Sequence, residues 1–202
     1  MSEGKIKRKV LKIGLLGDTQ VGKTAICNCF LNKKFNDSSL STIGQDKIDS
    51  SIKLNNGEEI KLVIYDTAGQ ERFHAIALKA LKAVQGVIVV FDLTSEKTFK
   101  NVANWLKTIK DNYSNVSVIL FGNKCDLEDQ RQVTKEDAEK YAKDNDLTLF
   151  LTSAKTDVGV KEGFKFIANV AYEKSEGVDD SQKVDLSKPK KPSGKQGGCC
   201  KK

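Results

Sequence analysis

The chain has 202 residues and 39% hydrophobic content, which is enough for one α/β domain with short extensions. No apolar stretch approaches the ~20 residues that a membrane-spanning helix needs, and the polar, basic stretch Met1–Lys9 predicts no secretory signal. The net charge of +7 predicts no nucleic-acid surface, because six lysines lie in the acid-free stretch Ser187–Lys202 and leave the rest nearly neutral.

In chain order, a short apolar run predicts a strand over Lys9–Leu16 and the next segment predicts a helix over Lys23–Asn32. Between them stands Gly17-Asp18-Thr19-Gln20-Val21-Gly22-Lys23-Thr24, which fits G-x-x-x-x-G-K-[ST]. A strand, a glycine loop and a helix start aim backbone N–H groups and a helix N-terminus at one point, which suits a polyphosphate. Gln20, Val21, Gly22, Lys23, Thr24 and Ala25 are therefore the candidate phosphate-binding residues. Lys23 is expected on the β and γ phosphates and the Thr24 hydroxyl on Mg²⁺. A plain turn with two glycines is the competing reading, and the flanking elements weigh against it.

Phe35, twelve residues beyond Lys23, fits either a base edge or a core-capping role. Ser41-Thr42-Ile43-Gly44 follows in a polar loop, where Thr42 could offer Mg²⁺ a second hydroxyl. Strands are predicted over Lys47–Leu54 and Glu59–Tyr65, joined at Asn55-Asn56-Gly57, a strong hairpin-turn signal. Directly afterwards comes Asp66-Thr67-Ala68-Gly69-Gln70-Glu71. There Asp66 can hold Mg²⁺ through its water, the Gly69 N–H can approach a γ-phosphate, and Gln70 can orient an attacking water. His74 reads as solvent-facing at the start of a helix over Ile76–Val84.

A strand over Gly86–Asp92 and a helix over Lys97–Asp111 follow, the latter with Trp105 at core spacing from Val102. After the strand Ser117–Phe121 stands Asn123-Lys124-Cys125-Asp126. A carboxylate there can accept from both N1–H and the 2-amino group of guanine, a donor pair that adenine lacks. After the helix Lys135–Asp144 and the strand Thr148–Leu151, Ser153-Ala154-Lys155 completes a base pocket, with a backbone N–H for the guanine O6. Singly these loop tripeptides are weak signals; in this order, behind a phosphate loop, they are strong. The last predicted helix is Val160–Lys174. One antiparallel hairpin in an alternating β-α pattern predicts a six-stranded, mostly parallel sheet with helices on both faces.

Five cysteines show no disulfide framework; Cys27, Cys29 and Cys125 read as buried fillers and the thiols as reduced. Both prolines, Pro189 and Pro192, sit in a Gly-, Ser- and Lys-rich tail that reads as a flexible tether. The organisation expected is a flexible N-terminus over 1–7, a nucleotide-binding domain over 8–174 and a tail over 175–202.

With these residues in hand, the chain resembles the Rab family of Ras-superfamily small GTPases over roughly residues 8–174 and the tail. The likeness is carried by the motifs above and by Ser41-Thr42-Ile43-Gly44, Gln70-Glu71-Arg72-Phe73, Phe91-Asp92-Leu93-Thr94, Asn123-Lys124-Cys125-Asp126-Leu127 and the pair Cys199-Cys200. It implies the small G-domain fold, a GTP/GDP switch with Mg²⁺, slow hydrolysis, and a role in vesicle trafficking. It also implies nucleotide-sensitive loops near 36–46 and 67–84, and geranylgeranylation of Cys199 and Cys200. The partners implied are an exchange factor, a GTPase-activating protein, effectors, a dissociation inhibitor and a prenylation escort protein. A monomer is expected, cycling between cytosol and the cytosolic face of endomembranes. Three family positions depart: Gln45-Asp46-Lys47 replaces Val-Asp-Phe, Tyr65 replaces Trp, and Ala80-Leu81-Lys82-Ala83-Val84 replaces Tyr-Tyr-Arg-Gly-Ala. Those sites normally form an effector-reading aromatic patch. Thr19 in the phosphate loop and the altered aromatics leave a hydrolysis-poor GTP-binding scaffold as the alternative. A P-loop kinase or ATPase is opposed by Asn123, Asp126 and the Asp66–Gln70 run.

Overall fold

A computed structural model describes residues 9–33, 45–67, 84–113 and 115–176. Six strands form one sheet: β1 Val10–Leu16, β2 Gln45–Lys53, β3 Glu59–Thr67, β4 Gly86–Asp92, β5 Ser117–Asn123 and β6 Thr148–Leu151. Among the described residues the helices are α1 Lys23–Phe30, α2 Glu96–Asn112, α3 Lys135–Asp144 and α4 Val160–Glu176, with a 3₁₀ turn at Glu128–Gln130. Strand order is β2-β3-β1-β4-β5-β6, parallel throughout except where β2 runs antiparallel to β3. The helix expected over Ile76–Val84 lies, apart from Val84, outside the described residues.

Alternation along the strands divides the core in two. Leu11, Ile13 and Leu15 of β1, Ile88 and Val90 of β4, and Ile119 and Phe121 of β5 pack with α1 and α4. Leu16, Val87, Val89, Phe91 and Leu120 point the other way and pack with Val102, Trp105 and Ile109 of α2 and Ala138 and Ala142 of α3. Both faces of β4 are thus covered, and all seven of its residues are buried. That is why its sequence reads as one unbroken apolar run.

The hairpin forms at the expected turn: Leu54 N donates to Glu58 O at 2.9 Å and Gly57 N to Leu54 O at 3.0 Å. Gly57 takes a φ of 86° there. Helix α1 stops two residues short of the predicted Asn32, because Asn32 turns left-handed at φ 56°. Lys33 N then bonds Asn28 O and Asn32 N bonds Cys29 O, capping the last turn's carbonyls. Strand β5 runs two residues past the predicted Phe121, since Gly122 and Asn123 stay paired with Phe91 and Asp92. The chain leaves β1 first toward β3 and later returns to β4 on β1's other side. Such a reversal opens a crevice at the strands' carboxyl ends, and the Gly17–Gly22 loop sits there.

Candidate functional site

The loop after β1 is held by close backbone approach. A Cβ on Gly17 would fall on the Val90 carbonyl, and one on Gly22 would run into the Asn123 side-chain amide. Gly22 is also left-handed, at φ 96°, where it caps α1. Gln20 adopts φ 66°, a conformation that costs a non-glycine residue on the order of 1 kcal/mol and persists only where its surroundings enforce it.

Lys23 opens α1 and is 5% exposed. Its ammonium donates to the carbonyls of Gly17 at 2.8 Å and Asp18 at 2.7 Å. Burial lowers its pKa from 10.5 to about 8, against the raising influence of the Asp66 and Asp18 carboxylates. A cation so placed lacks a full counter-charge, which a polyphosphate would supply.

One residue on, the Thr24 hydroxyl donates to Asp66 Oδ2 at 2.6 Å. Asp66 lies at the end of β3 and is 1% exposed; its Oδ1 is buried without a hydrogen-bond partner among the described residues. Burial raises its carboxyl pKa, opposed by the Thr24 hydrogen bond and the Lys23 charge. The Thr24 hydroxyl and the Asp66 carboxylate, one of whose oxygens is orphaned, make a hard-oxygen donor pair that fits Mg²⁺ bound jointly with a phosphate. Thr67 fixes the same strand end by donating to Leu15 O at 2.7 Å.

The second half of the site lies at the ends of β5 and β6. Asn123 Nδ2 donates to Val21 O at 2.8 Å, and Thr152 Oγ1 donates to Asn123 Oδ1 at 3.3 Å. One buried side chain therefore joins the phosphate loop, the Asn123–Asp126 turn and the segment after β6. Cys125 N donates to Thr152 O at 3.0 Å and adds a backbone tie between the two loops. Lys124, left-handed at φ 65°, pairs with the Asp92 carboxylate, which also accepts from Thr94 N and Oγ1. Asp126, at the end of this turn, is half-buried. Ser153 Oγ accepts from Lys155 N at 3.2 Å and Thr156 N at 3.1 Å, which folds Ala154 and Lys155 into a tight turn.

Gln20 to Ala25, Asp66, Asn123, Lys124, Asp126, Ser153, Ala154 and Lys155 thus gather on one rim. Phe35, Thr42, Gly69, Gln70, His74, Cys199 and Cys200 lie outside the described residues. Sequence reasoning missed three contributors: Asp92, which pairs with Lys124, and Asn101 and Trp105, whose donors reach Asp18. Trp105 is a core residue as expected, 4% exposed, but its indole N–H is spent on the phosphate loop. Its four-residue spacing from Asn101, one helical turn, was the available signal.

Cys27 and Cys29 are buried and Cys125 is half-buried; none is disulfide-bonded. Burial raises all three thiols, Cys29 to about 12, which disfavours their thiolate forms. Of the departures from the effector patch, Lys47 and Tyr65 are direct cross-strand partners, while Ala80 lies outside the described residues.

Residues 12–173 match the Ras family. The chain is 40% identical over 194 residues to the Ras-related protein Rab-10 of Caenorhabditis elegans, covering 95% of this chain and 96% of that protein. It is 43% identical over 169 residues to Rab-13 of Mesocricetus auratus, covering 83% of each. To Rab-8B of Pongo abelii it is 39% identical over 184 residues, 90% of this chain and 88% of the relative.

Proposed function

Because the chain belongs to the Rab family of Ras-type small GTPases, we propose that its described rim is a guanine-nucleotide site in which each motif has a separable task. The protein binds GTP or GDP with Mg²⁺, hydrolyses GTP to GDP, engages regulators and effectors, and serves membrane-associated vesicle trafficking. Residues 8–174 form the GTP-binding domain in this reading, with short segments at 1–7 and 175–202.

Lys23 leaves its loop carbonyls for the β and γ phosphates, and N–H groups of Gln20 to Ala25 surround the chain of phosphates. Thr24, Thr42 and Asp66 would hold Mg²⁺, and the ion would supply positive charge to offset the charge that builds up on the phosphates. The Gly69 N–H steadies the γ-phosphate, and Gln70 is the catalytic residue that orients the attacking water. Asp126 accepts from guanine N1–H and the 2-amino group. Lys124 and Phe35 flank the base, Asn123 and Ser153 brace the pocket walls, and Ala154 with Lys155 presents a backbone N–H to O6.

The observation that carries this reading is Asn123, whose side chain joins Val21 of the phosphate loop to Thr152 of the base pocket. A polyphosphate site and a base site so fused suit one nucleotide. Equilibrium binding of guanosine, adenosine and xanthosine diphosphates tests it. Asp126→Asn should lose roughly tenfold or more in GDP affinity, by analogy with other hydrogen bonds to a charged group, and gain for xanthosine diphosphate. Unchanged GDP affinity would remove Asp126 from the base pocket.

The finer partners follow from the same reading: an exchange factor, a GTPase-activating protein and a dissociation inhibitor act on the nucleotide loops. An escort protein presents the domain for geranylgeranylation of Cys199 and Cys200, and the lipids hold the protein to the cytosolic face of endomembranes. Among the described residues no helix is long and apolar enough to cross a membrane.

A further inference from the structure

Asp18 places a carboxylate in a loop whose cargo is itself an anion. At close range a free carboxylate would repel the phosphates and pull the Lys23 ammonium aside. Both of its oxygens are instead occupied by donors from α2. Trp105 Nε1 donates to Oδ1 at 2.8 Å and Asn101 Nδ2 to Oδ2 at 2.7 Å. The Asp18 backbone carbonyl meanwhile accepts Lys23 Nζ at 2.7 Å. One residue therefore links the phosphate-binding lysine to a helix on the far side of the loop. Trp105 is packed in the second core with Phe91 and Leu16 as fellow members, so its N–H is a fixed donor. Asn101, half-buried one turn earlier, completes the grip.

We infer that Asn101 and Trp105 are positioning residues for nucleotide binding, which hold the Asp18 carboxylate on α2 and so keep the Gly17–Gln20 segment in its phosphate-accepting shape. Neither is among the residues assigned to the nucleotide above, and the inference rests on that assignment of the phosphate loop. It also makes the chain's single tryptophan an intrinsic reporter of that loop.

The test follows release of a fluorescent GDP derivative from the full-length, Mg²⁺-loaded protein after addition of excess GDP. Trp105→Phe keeps a ring and removes the N–H; Asn101→Ala removes the other donor from a half-buried position and spares the core. A hydrogen bond to a charged group is worth roughly tenfold in an equilibrium, so each variant should release GDP several-fold to about tenfold faster. In an Asp18→Ala background neither substitution should accelerate release further, because the charge they restrain is gone. Wild-type tryptophan emission should change when EDTA strips the nucleotide, and Asp18→Ala should lose that change. Release from both variants at the wild-type rate overturns the inference. So does undiminished acceleration in the Asp18→Ala background, which a packing role alone would give, or an emission change that survives Asp18→Ala. Lys23→Ala separates the two levels: wild-type GDP affinity in that variant would sink the phosphate-loop assignment itself. Weakened binding there, with unaltered Trp105→Phe and Asn101→Ala kinetics, sinks only the positioning role.

Discussion

Lys23 is a buried ammonium at the rim of the site. Its pKa is lowered from 10.5 to about 8 by burial, so between those values the unfolded chain binds more protons than the nucleotide-free fold. Stability without nucleotide should therefore rise with pH across that window, and the gain is lost as pH falls through about 8. A polyphosphate reverses the balance by favouring the ammonium form. Binding of Mg²⁺·GDP near pH 8.5 should accordingly take up a fraction of a proton. Calorimetric titration in two buffers of different ionisation enthalpy reads this directly, and proton release would contradict the assigned role of Lys23. Where the candidate residues fall in the fold was legible residue by residue, because each motif directly follows a predicted strand. What the spacing could not convey was the tertiary wiring, since Asn123 and Val21 stand 102 residues apart. The pairing of Asp92 with Lys124 is hidden for the same reason.

Among the elements, α4 and β5 show how packing reaches the site. Phe164 of α4 is fully buried between Phe30, at a centroid distance of 4.3 Å, and Phe121, at 6.1 Å edge-on. Beside it, Gly163 faces the Phe121 ring so closely that an added Cβ would overlap the ring carbons. Helix propensity alone would make Gly163→Ala stabilising by about 1 kcal/mol. Here the fully buried ring has little room to yield, and overpacking typically costs about 1–3 kcal/mol, so we expect net destabilisation. Because Phe121 stands two residues before Asn123, GDP affinity should weaken as well. Urea unfolding with and without GDP checks both effects; a variant more stable than wild type would contradict the packing argument. Strand and helix positions were readable from periodicity, whereas their ends were not. Asn32 stopped α1 through a left-handed turn, and Gly122 and Asn123 stayed in β5 because a neighbouring strand paired with them. Local composition carries little information about a cross-strand partner.

For the molecule as a whole, the lipids proposed at Cys199 and Cys200 would tether the nucleotide switch to a membrane. One lipid chain gives marginal membrane binding and two give stable anchoring. The six lysines of Ser187–Lys202 add on the order of 1 kcal/mol each near an anionic surface. Replacing either Cys199 or Cys200 by serine should move much of the protein from membranes to the soluble fraction, and replacing both should move nearly all of it. Intact mass measurement on protein from its native cell should find two prenyl groups; unmodified thiols in the membrane fraction would refute the anchor. The switch itself is tested most directly by single-turnover hydrolysis with Mg²⁺, comparing GTP and ATP on wild type and GTP on Gln70→Leu. Wild type should hydrolyse GTP slowly and ATP negligibly, while Gln70→Leu should bind GTP with nearly unchanged affinity and turn it over more slowly still. Equal turnover of GTP and ATP, or hydrolysis by Gln70→Leu at the wild-type rate, would contradict a guanine-specific switch that works by positioning water.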